Sequence, residues 1–444
     1  MGKLAKQKKR KLQQLELNEN EIQEISNEDL DTTIKTLAVL AKNEELLQDK
    51  RFKQIRVYMH QLSNGKGQTA SGKVSDALRD GRWRDAIHSL DEMRARGQVP
   101  KLGALQRWTR DCDAAGYDDN FAPPEVYLAL DAILRTADPK LVLAANPGKQ
   151  PSHPLRKHQP WSPPDKIGHW DPTEAPNLDP AAVKSKFKVI YKESGPDRKP
   201  PNLHPMTLYL SEPGAVDMTQ HNYTVKRFDV PYLPGAFVLQ SVLSPFECNT
   251  IIEMAQIMGF TPDTPAGGSA KDLKSVLAHN FFWLADEELN NTIYNRCKHL
   301  LPQVIGGDVA GLNARWRVYR YTPGSIYRPH IDGAWPGSGV NKDGKYEYDN
   351  YGDRWSKLTF LIRLNDDFKG GATTFFTPSV DVGYLDARPI LPKMGDVLVF
   401  PHGDTEGSML HEGSAVMDTL GLLRDAKYVI RTEVLYKIPH HVRK

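Results

Sequence analysis

A histidine and an aspartate two positions apart, His330 and Asp332, have the residue types and the spacing to bind one metal ion together. Side chains at positions i and i+2 of an extended strand point to the same face, so both can reach the same ion. A further histidine would complete the two-histidine, one-carboxylate set that holds non-haem Fe(II) and leaves coordination positions open. The spacing therefore predicts a metal centre on one face of a strand.

The His-x-Asp spacing occurs three times, where chance gives about one, so the flanking residues have to separate the candidates. His169-Trp-Asp171 lies among prolines, and His402-Gly-Asp404 runs into polar residues typical of a loop. His330-Ile-Asp332 follows a strand pattern at 316–321 and a Pro-Gly turn. The context favours the middle pair over the other two.

Several strand-like segments with turn residues between them follow Asp332. They lie at 357–365, 372–376, 397–400 and 410–416. The last of these contains His411, which is the best candidate for the third metal ligand. Short strands separated by turns suggest a sandwich or a barrel, in which a histidine on a neighbouring strand can complete the set.

The order of these motifs resembles the prolyl 4-hydroxylase-like branch of the 2-oxoglutarate and Fe(II)-dependent dioxygenases. The resemblance covers residues 234–436, which is less than half of the chain. The motifs that carry it are Leu243-Ser-Pro-Phe-Glu-Cys248, Tyr321-Thr-Pro-Gly through His330-Ile-Asp332, Leu364-Asn-Asp followed by Gly370-Gly-Ala-Thr373, and His411-Glu-Gly413. It implies that the C-terminal part is a double-stranded β-helix, or jelly roll, and a catalytic oxidoreductase domain.

Matched residue by residue, the resemblance implies a set of site residues. Those implied as metal ligands and catalytic residues are His330, Asp332 and His411, and those implied to bind the cofactor are Tyr321 and Thr373. A basic residue for the distal carboxylate of 2-oxoglutarate is implied as well, but position 421, where the family usually has it, is Gly. Residues 417–425 look like an insertion, and both Lys427 and Arg431 beyond it share one strand face. Lys427 precedes an aromatic residue, as in the family, and Arg431 is its rival.

The same resemblance implies a dioxygenase that uses Fe(II), 2-oxoglutarate and O2, with L-ascorbate as an optional further cofactor. The implied reaction is hydroxylation of a polypeptide, with prolyl residues as the targets, and release of succinate and CO2. Two alternatives stay open. One is a noncatalytic adapter that binds RNA or protein, and the other is an oxidative demethylase with the same iron chemistry.

Composition narrows the class of protein without naming a partner. The chain has 444 residues and a formal net charge of +3, which is small for its length. Its three cysteines are too few for a disulfide framework or a zinc site. The basic N-terminus lacks the apolar core of a signal peptide, and no apolar run is long enough to span a membrane. We therefore expect a cytoplasmic or nuclear protein with no membrane association.

The sequence predicts an α+β protein with a mainly α-helical N-terminal region before the jelly roll. The predicted parts are a charged disordered tail at 1–26, a helical region at 27–143 with one helical hairpin, a Pro-rich linker at 144–205, and the dioxygenase domain at 206–444. Residues 81–97 resemble a single pentatricopeptide-type repeat, which suggests a protein or RNA partner for the helical region. Glycines and aromatic residues at 333–355 suggest a lid over the site.

Overall fold

The computed structural model describes residues 26–41, 69–114, 122–138, 140–141, 154–164, 176–199, 201–266, 277–417 and 426–439. Several predicted features lie outside the described residues. They are the tail at 1–25, His169-Trp-Asp171, and the insertion at 418–425. The chain divides into two compact units, 1–69 and 70–444.

The described part of the first unit is one helix, α1, at Asn27–Ala41. The Ser26 hydroxyl accepts a hydrogen bond from the Asp29 backbone N–H at 3.1 Å, and the Asp29 carboxylate accepts one from the Ser26 backbone at 3.3 Å. This reciprocal pair satisfies two backbone donors and begins the helix.

A layer of four packed helices opens the second unit. They are α2 (Ala70–Arg79), α3 (Trp83–Ala95), α4 (Leu102–Cys112) and α5 (Pro124–Ala137). Their apolar faces share one core, which contains the fully buried Trp108 and also Ile331, Phe376 and Leu410 from the β part of the unit. The predicted repeat at 81–97 is therefore helix α3 with its flanking turns, and its apolar face packs into this core.

Two sheets form the β part of the unit. The smaller has five strands in the order β1-β14-β13-β16-β9, and the larger has ten, in the order β2-β3-β6-β8-β17-β12-β15-β5-β4 with β7 added beside β17. Strands β1 to β9 are Leu155–Lys157, Phe187–Glu193, Met206–Ser211, Lys226–Asp229, Phe237–Gln240, His279–Leu284, Val309–Leu312, Arg315–Tyr321 and Tyr327–His330. A two-stranded hairpin pairs β10 (Gly339–Val340) with β11 (Tyr346–Glu347). Strands β12 to β17 are Arg354–Arg363, Thr373–Pro378, Leu385–Ile390, Val397–Pro401, His411–Gly413 and Lys427–Lys437.

The chain crosses repeatedly between the two sheets as it forms eight of these strands. Strands β8, β12, β15 and β17 lie in the larger sheet, and β9, β13, β14 and β16 lie in the smaller one. All pairings among them are antiparallel. Side chains from the two sheets meet between them. Phe400 of the larger sheet and Phe375 of the smaller sheet belong to one apolar cluster. Val429 and Phe400 of the larger sheet line a pocket between the sheets. Two facing antiparallel sheets with these crossings form a jelly roll, and together with the helices they give an α+β chain.

The range 144–205, predicted as a linker, also contributes to both sheets. Strand β1 pairs in parallel with β14, and β2 pairs with β3 at the edge of the larger sheet. A six-residue helix, α6 at Pro180–Ser185, precedes β2. Only Phe187 of β2 is buried, while Val189 and Tyr191 are exposed, which suits a strand at the edge of a sheet.

Two further helices cover the outer face of the larger sheet. Helix α7 at Pro245–Met258 begins with a capping box between Ser244 and Glu247, and helix α8 spans Glu287–Cys297. Arg296 joins the two helices through a pair of contacts to Glu247, the shorter of 2.7 Å. Among the described residues, no helix is long and apolar enough to cross a membrane.

A buried ion pair fixes the helical layer to the jelly roll. Arg135 on helix α5 contacts Asp131 at 2.9 Å and donates to the carbonyl of Ser379 at 2.6 Å, while Asp131 accepts from the backbone of Gly383 at 2.9 Å. Ser379 and Gly383 belong to the turn between β13 and β14. Burial raises the pKa of Asp131, and the contact with Arg135 opposes this rise. The pair therefore holds one turn of the smaller sheet against helix α5.

We expect Asp131→Ala to lower the free energy of unfolding by about 3–5 kcal/mol, because it leaves the buried Arg135 guanidinium without a carboxylate. Urea unfolding followed by circular dichroism measures this change. Lys140→Ala is the matched control, because it removes an ion pair with Glu406 whose side chains are 80% and 89% exposed. An unfolding midpoint of Asp131→Ala equal to that of the control would show that the pair does not hold the layer.

Candidate metal centre

His330, Asp332 and His411 converge inside the jelly roll. One potential ligand atom from each residue can be chosen so that all lie within 4.8 Å of one another. Nε2 of His330 is 3.2 Å from Asp332 Oδ1, and Nε2 of His411 is 3.8 Å from Asp332 Oδ2. Strand pairing creates this proximity, since His411 on β16 lies directly opposite His330 on β9. Two imidazoles and a carboxylate at these distances are the donor set of a facial metal site.

Each histidine is oriented by the backbone carbonyl two residues before it. Nδ1 of His330 is 2.7 Å from the carbonyl oxygen of Arg328, and Nδ1 of His411 is 3.1 Å from that of Met409. A carbonyl can only accept, so both histidines carry their proton on Nδ1. Their Nε2 atoms are left as lone-pair donors on the same side, which is the tautomer that a metal ion requires.

Arg431 keeps the Asp332 carboxylate ionised in this buried place. Burial alone would raise the pKa of Asp332, but that pKa lies well below its usual range, chiefly because of the Arg431 guanidinium. The Arg431 guanidinium lies 3.4 Å from Asp332 Oδ1 and 3.0 Å from a Glu433 oxygen. Burial lowers the pKa of His411 to about 4, so its imidazole is neutral at pH 7. The cluster therefore offers an anionic oxygen and a neutral nitrogen.

A second cation, Lys427, lines the same pocket and is 2% exposed. Lys427 lies opposite Tyr321 across strands β17 and β8, with Nζ 4.7 Å from the ring centroid. The turn at Gly370-Gly371 makes room for it, because a Cβ on Gly371 would lie 3.1 Å from Lys427 Cδ. Burial, with Arg363 nearby, lowers the pKa of Lys427 well below its usual range. Among the described residues no carboxylate pairs with its amino group.

Helix α4 supports the strand that carries His330. The Gln106 side chain donates to the Ile331 carbonyl at 3.1 Å, and the Arg328 guanidinium pairs with Asp113 at the end of the helix. Ile331 lies between the two ligands in sequence, and its side chain packs into the helical core. The same short segment of chain therefore contacts the helical layer and carries two of the clustered residues.

The structure brings every sequence-predicted site residue to one pocket. Its lining includes His330, Asp332, His411, Tyr321, Thr373, Lys427 and Arg431. Sequence reasoning placed Lys427 and Arg431 on one face and left them as rivals, and the structure separates them by their partners. Arg431 contacts two carboxylates, whereas Lys427 contacts an aromatic ring.

Two polar residues behind Asp332 were missed. The Thr359 hydroxyl lies 2.7 Å from Asp332 Oδ2, and His402 lies 2.8 Å behind Thr359. His402 was assigned to a loop because of the glycine and polar residues after it, yet it is fully buried. The available signal was its position directly after the apolar strand Val397–Pro401, where the chain is still inside the barrel.

Comparison with known proteins gives weak similarity. No protein-family model and no curated protein matches the chain. Among solved structures, the viral collagen prolyl hydroxylase of Paramecium bursaria Chlorella virus 1, in complex with 2-oxoglutarate, is 16% identical over 48% of this chain and 97% of its own, with a TM-score of 0.29. A truncated form of that enzyme is 18% identical over 50% of this chain and 99% of its own, also with a TM-score of 0.29. An oxidoreductase of the 2OG-Fe(II) oxygenase family from Burkholderia pseudomallei is 10% identical over 49% of this chain and 75% of its own, with a TM-score of 0.20. TM-scores this low do not establish a shared fold.

We expect His330→Ala and His411→Ala each to abolish stoichiometric binding of Co(II), because two ligands hold a divalent ion much more weakly than three. Isothermal titration of the metal-free protein measures the binding. His279→Ala is the control, since His279 lies on strand β6 outside the cluster. Wild-type binding by both cluster variants would remove these histidines from the metal site.

Proposed function

We propose that this chain is an Fe(II)- and 2-oxoglutarate-dependent dioxygenase that hydroxylates a protein substrate at prolyl residues. The observation that carries the proposal is the pairing of two features in one pocket. One is the cluster of His330, Asp332 and His411, and the other is the buried Lys427, which no described carboxylate neutralises. A facial metal site and an unpaired cation in one pocket suit a small dianion that binds the metal at one end and the cation at the other.

The donor set fits Fe(II). Imidazole nitrogens and a carboxylate oxygen suit this ion, and three protein ligands leave positions for other molecules. When bound, Fe(II) with 2-oxoglutarate and O2 supplies the oxidant: one oxygen atom enters a substrate C–H bond, the other enters succinate, and CO2 is released. The protein residues have to orient these molecules and exclude water from them.

Tyr321 and Thr373 are proposed as hydrogen-bond donors to 2-oxoglutarate. Both are buried and line the pocket. Burial raises the pKa of Tyr321 well above its usual range, so its phenol stays protonated and can donate. We propose Lys427 as the partner of the distal carboxylate, because burial disfavours its charged form and a carboxylate beside Nζ would stabilise that form. Arg431 is already paired with Asp332 and Glu433, which supports a different role in holding Asp332 ionised.

We expect the wild-type protein with Fe(II) to convert 2-oxoglutarate to succinate. Lys427→Met should raise the KM for 2-oxoglutarate by at least about 30-fold, the equivalent of about 2 kcal/mol, because a buried charge pair is lost. Co(II) affinity should stay unchanged in this variant, since Lys427 is not a ligand. Arg431→Met should instead weaken Co(II) binding, through Asp332. An unchanged KM in Lys427→Met would show that another residue binds the distal carboxylate. If the wild-type protein formed no succinate, the enzyme assignment would be wrong.

A groove between the helical layer and the outer face of the smaller sheet supports a polypeptide substrate. It has a volume of about 670 Å³, within the usual range for binding sites, and lies between helices α4 and α5, strand β13 and the loop 403–410. Its lining is largely apolar, and Ile331 and Leu410, each adjacent in sequence to a proposed ligand, form part of the wall. The groove and the metal pocket share no lining residue and lie on opposite faces of the smaller sheet, because neighbouring residues such as Ile331 and Asp332 point to opposite sides. We assign the groove to a segment of the substrate polypeptide away from its target residue.

Tyr232 stands at the rim of the groove. Its side chain is 78% exposed, and its backbone is in the left-handed region with φ of 64°. A non-glycine residue held in this conformation costs free energy, and such residues cluster at functional sites. The Arg388 guanidinium lies 4.7 Å from the ring centroid and holds the ring in place. An exposed, oriented aromatic ring suits contact with a prolyl peptide.

Peptides containing proline should gain one oxygen atom when incubated with the enzyme, as measured by mass spectrometry. Tyr232→Ala should raise the KM for such a peptide by about fivefold, the equivalent of about 1 kcal/mol, because an aromatic contact is lost. Turnover of 2-oxoglutarate without peptide should not change. Val304→Ala is the control, since Val304 is 66% exposed and does not line the groove. If no peptide gains oxygen while 2-oxoglutarate is consumed, the prolyl assignment is wrong.

A further inference from the structure

A continuous line of hydrogen bonds runs from the backbone of Trp335 to the Asp332 carboxylate. The Trp335 backbone N–H donates to Ser356 Oγ at 2.8 Å, and Ser356 Oγ lies 2.8 Å from His402 Nε2. Nδ1 of His402 lies 2.8 Å from Thr359 Oγ1, which lies 2.7 Å from Asp332 Oδ2. Ser356, His402 and Thr359 are each at most 1% exposed. Every link has the length of a normal hydrogen bond.

Counting protons gives this line a single direction. The ionised Asp332 can only accept, so the one hydroxyl proton of Thr359 goes to it. Thr359 must then accept from His402 Nδ1–H. Burial lowers the pKa of His402 to about 3, so the ring is neutral and its Nε2 accepts from the Ser356 hydroxyl. Ser356 in turn accepts from Trp335. No donor in the line is used twice, and no acceptor is left without a proton.

Strand pairing places the members of this line. Ser356 and Thr359 lie on β12, and His402 follows the end of β15, its neighbour in the sheet. The His402 backbone donates to the Lys357 carbonyl at 3.1 Å, and the next residue, Gly403, donates to the Asp332 carbonyl at 2.9 Å. Gly403 has φ of 61°, and a Cβ there would lie 2.9 Å from Ala334 Cβ. The turn after β15 therefore contacts Asp332 in two ways. Gly403 binds the Asp332 backbone carbonyl directly, and His402 reaches the Asp332 carboxylate through Thr359.

We propose that Thr359 and His402 are positioning residues for the metal centre, which hold Asp332 as a ligand through one oxygen only. Thr359 engages Oδ2, and Oδ1 lies 3.2 Å from His330 Nε2 and 3.4 Å from the Arg431 guanidinium. Without the hydroxyl, Oδ2 is no longer held, and the carboxylate can turn about its Cβ–Cγ bond so that both oxygens face Arg431 and neither faces the two imidazoles. The inference rests on the metal site of the proposed function and not on the reaction or its substrate.

The distinguishing property is the affinity for a metal ion, which simple packing would not change. Thr359→Val keeps the shape of the side chain and removes only the hydroxyl. It should weaken Co(II) binding, measured by isothermal titration of the metal-free protein, by about 10–100-fold. Thr359→Ser keeps the hydroxyl and should restore most of the affinity. Ser356→Ala breaks the line two links away and should weaken binding less than Thr359→Val does.

Thr432→Val is the matched control, because Thr432 is also fully buried in the larger sheet and its hydroxyl also forms one hydrogen bond, of 2.6 Å to the Asn313 carbonyl. Its Co(II) affinity should equal that of the wild-type protein. Equal affinity in Thr359→Val and wild type, or equal weakening in Thr359→Val and Thr432→Val, would overturn the proposal. If Thr359→Val does not fold, wild-type affinity in Ser356→Ala overturns it instead. Co(II) binding that depends on Thr359 in a protein unable to consume 2-oxoglutarate would leave this inference standing and contradict only the proposed activity.

Discussion

The site depends on keeping one negative charge, on Asp332, inside the barrel. An isolated buried carboxylate would take up a proton, and a protonated Asp332 is a poor metal ligand. Arg431 supplies the opposing charge, and Glu433 shares that guanidinium. The guanidinium can contact both carboxylates because its nitrogens form a planar fork. This need explains the position of Arg431 on strand β17, where it neutralises the protein's own carboxylates. Lys427, on the same strand and in the same pocket, has no carboxylate partner among the described residues.

The helical layer is part of the site's architecture, because it buttresses β9 from outside the barrel. Strand β9 is only four residues long and pairs with β16 at two positions, so its own sheet holds it weakly. Contacts from Gln106 and Asp113 on the helical side supply what the sheet does not. The helices also form one wall of the groove on the outer face of the smaller sheet. A region that looks like a separate binding module in sequence therefore serves the jelly roll in the structure.

Much of the jelly-roll half could be predicted from local patterns. The alternation at 357–365 identified β12, and a histidine and aspartate at i and i+2 after a strand identified two of the three clustered residues. The pattern around His402 was ambiguous, because the apolar strand before it indicates burial while the glycine and polar residues after it indicate a loop. Strand parity put Lys427 and Arg431 on one face, but it carries no information on which carboxylates fold against each of them. The packing of the helices on the smaller sheet depends on contacts more than 200 residues apart in sequence, such as that of Gln106 with Ile331. The spacing of apolar residues within a short segment carries no information about such contacts.

The register of β9 and β16 links metal binding to the integrity of the sheet. Because His330 and His411 face each other across these two strands, a slip of one residue would turn one imidazole to the opposite face and separate the pair. A bound ion would therefore connect β9 and β16, the pair of strands with the fewest paired positions in the smaller sheet. A ligand that binds only the folded state stabilises it by mass action, so the stability of this pairing would rise with the concentration of the metal ion. When the ion is withdrawn, β9 would keep only its two paired positions and its contacts with the helical layer.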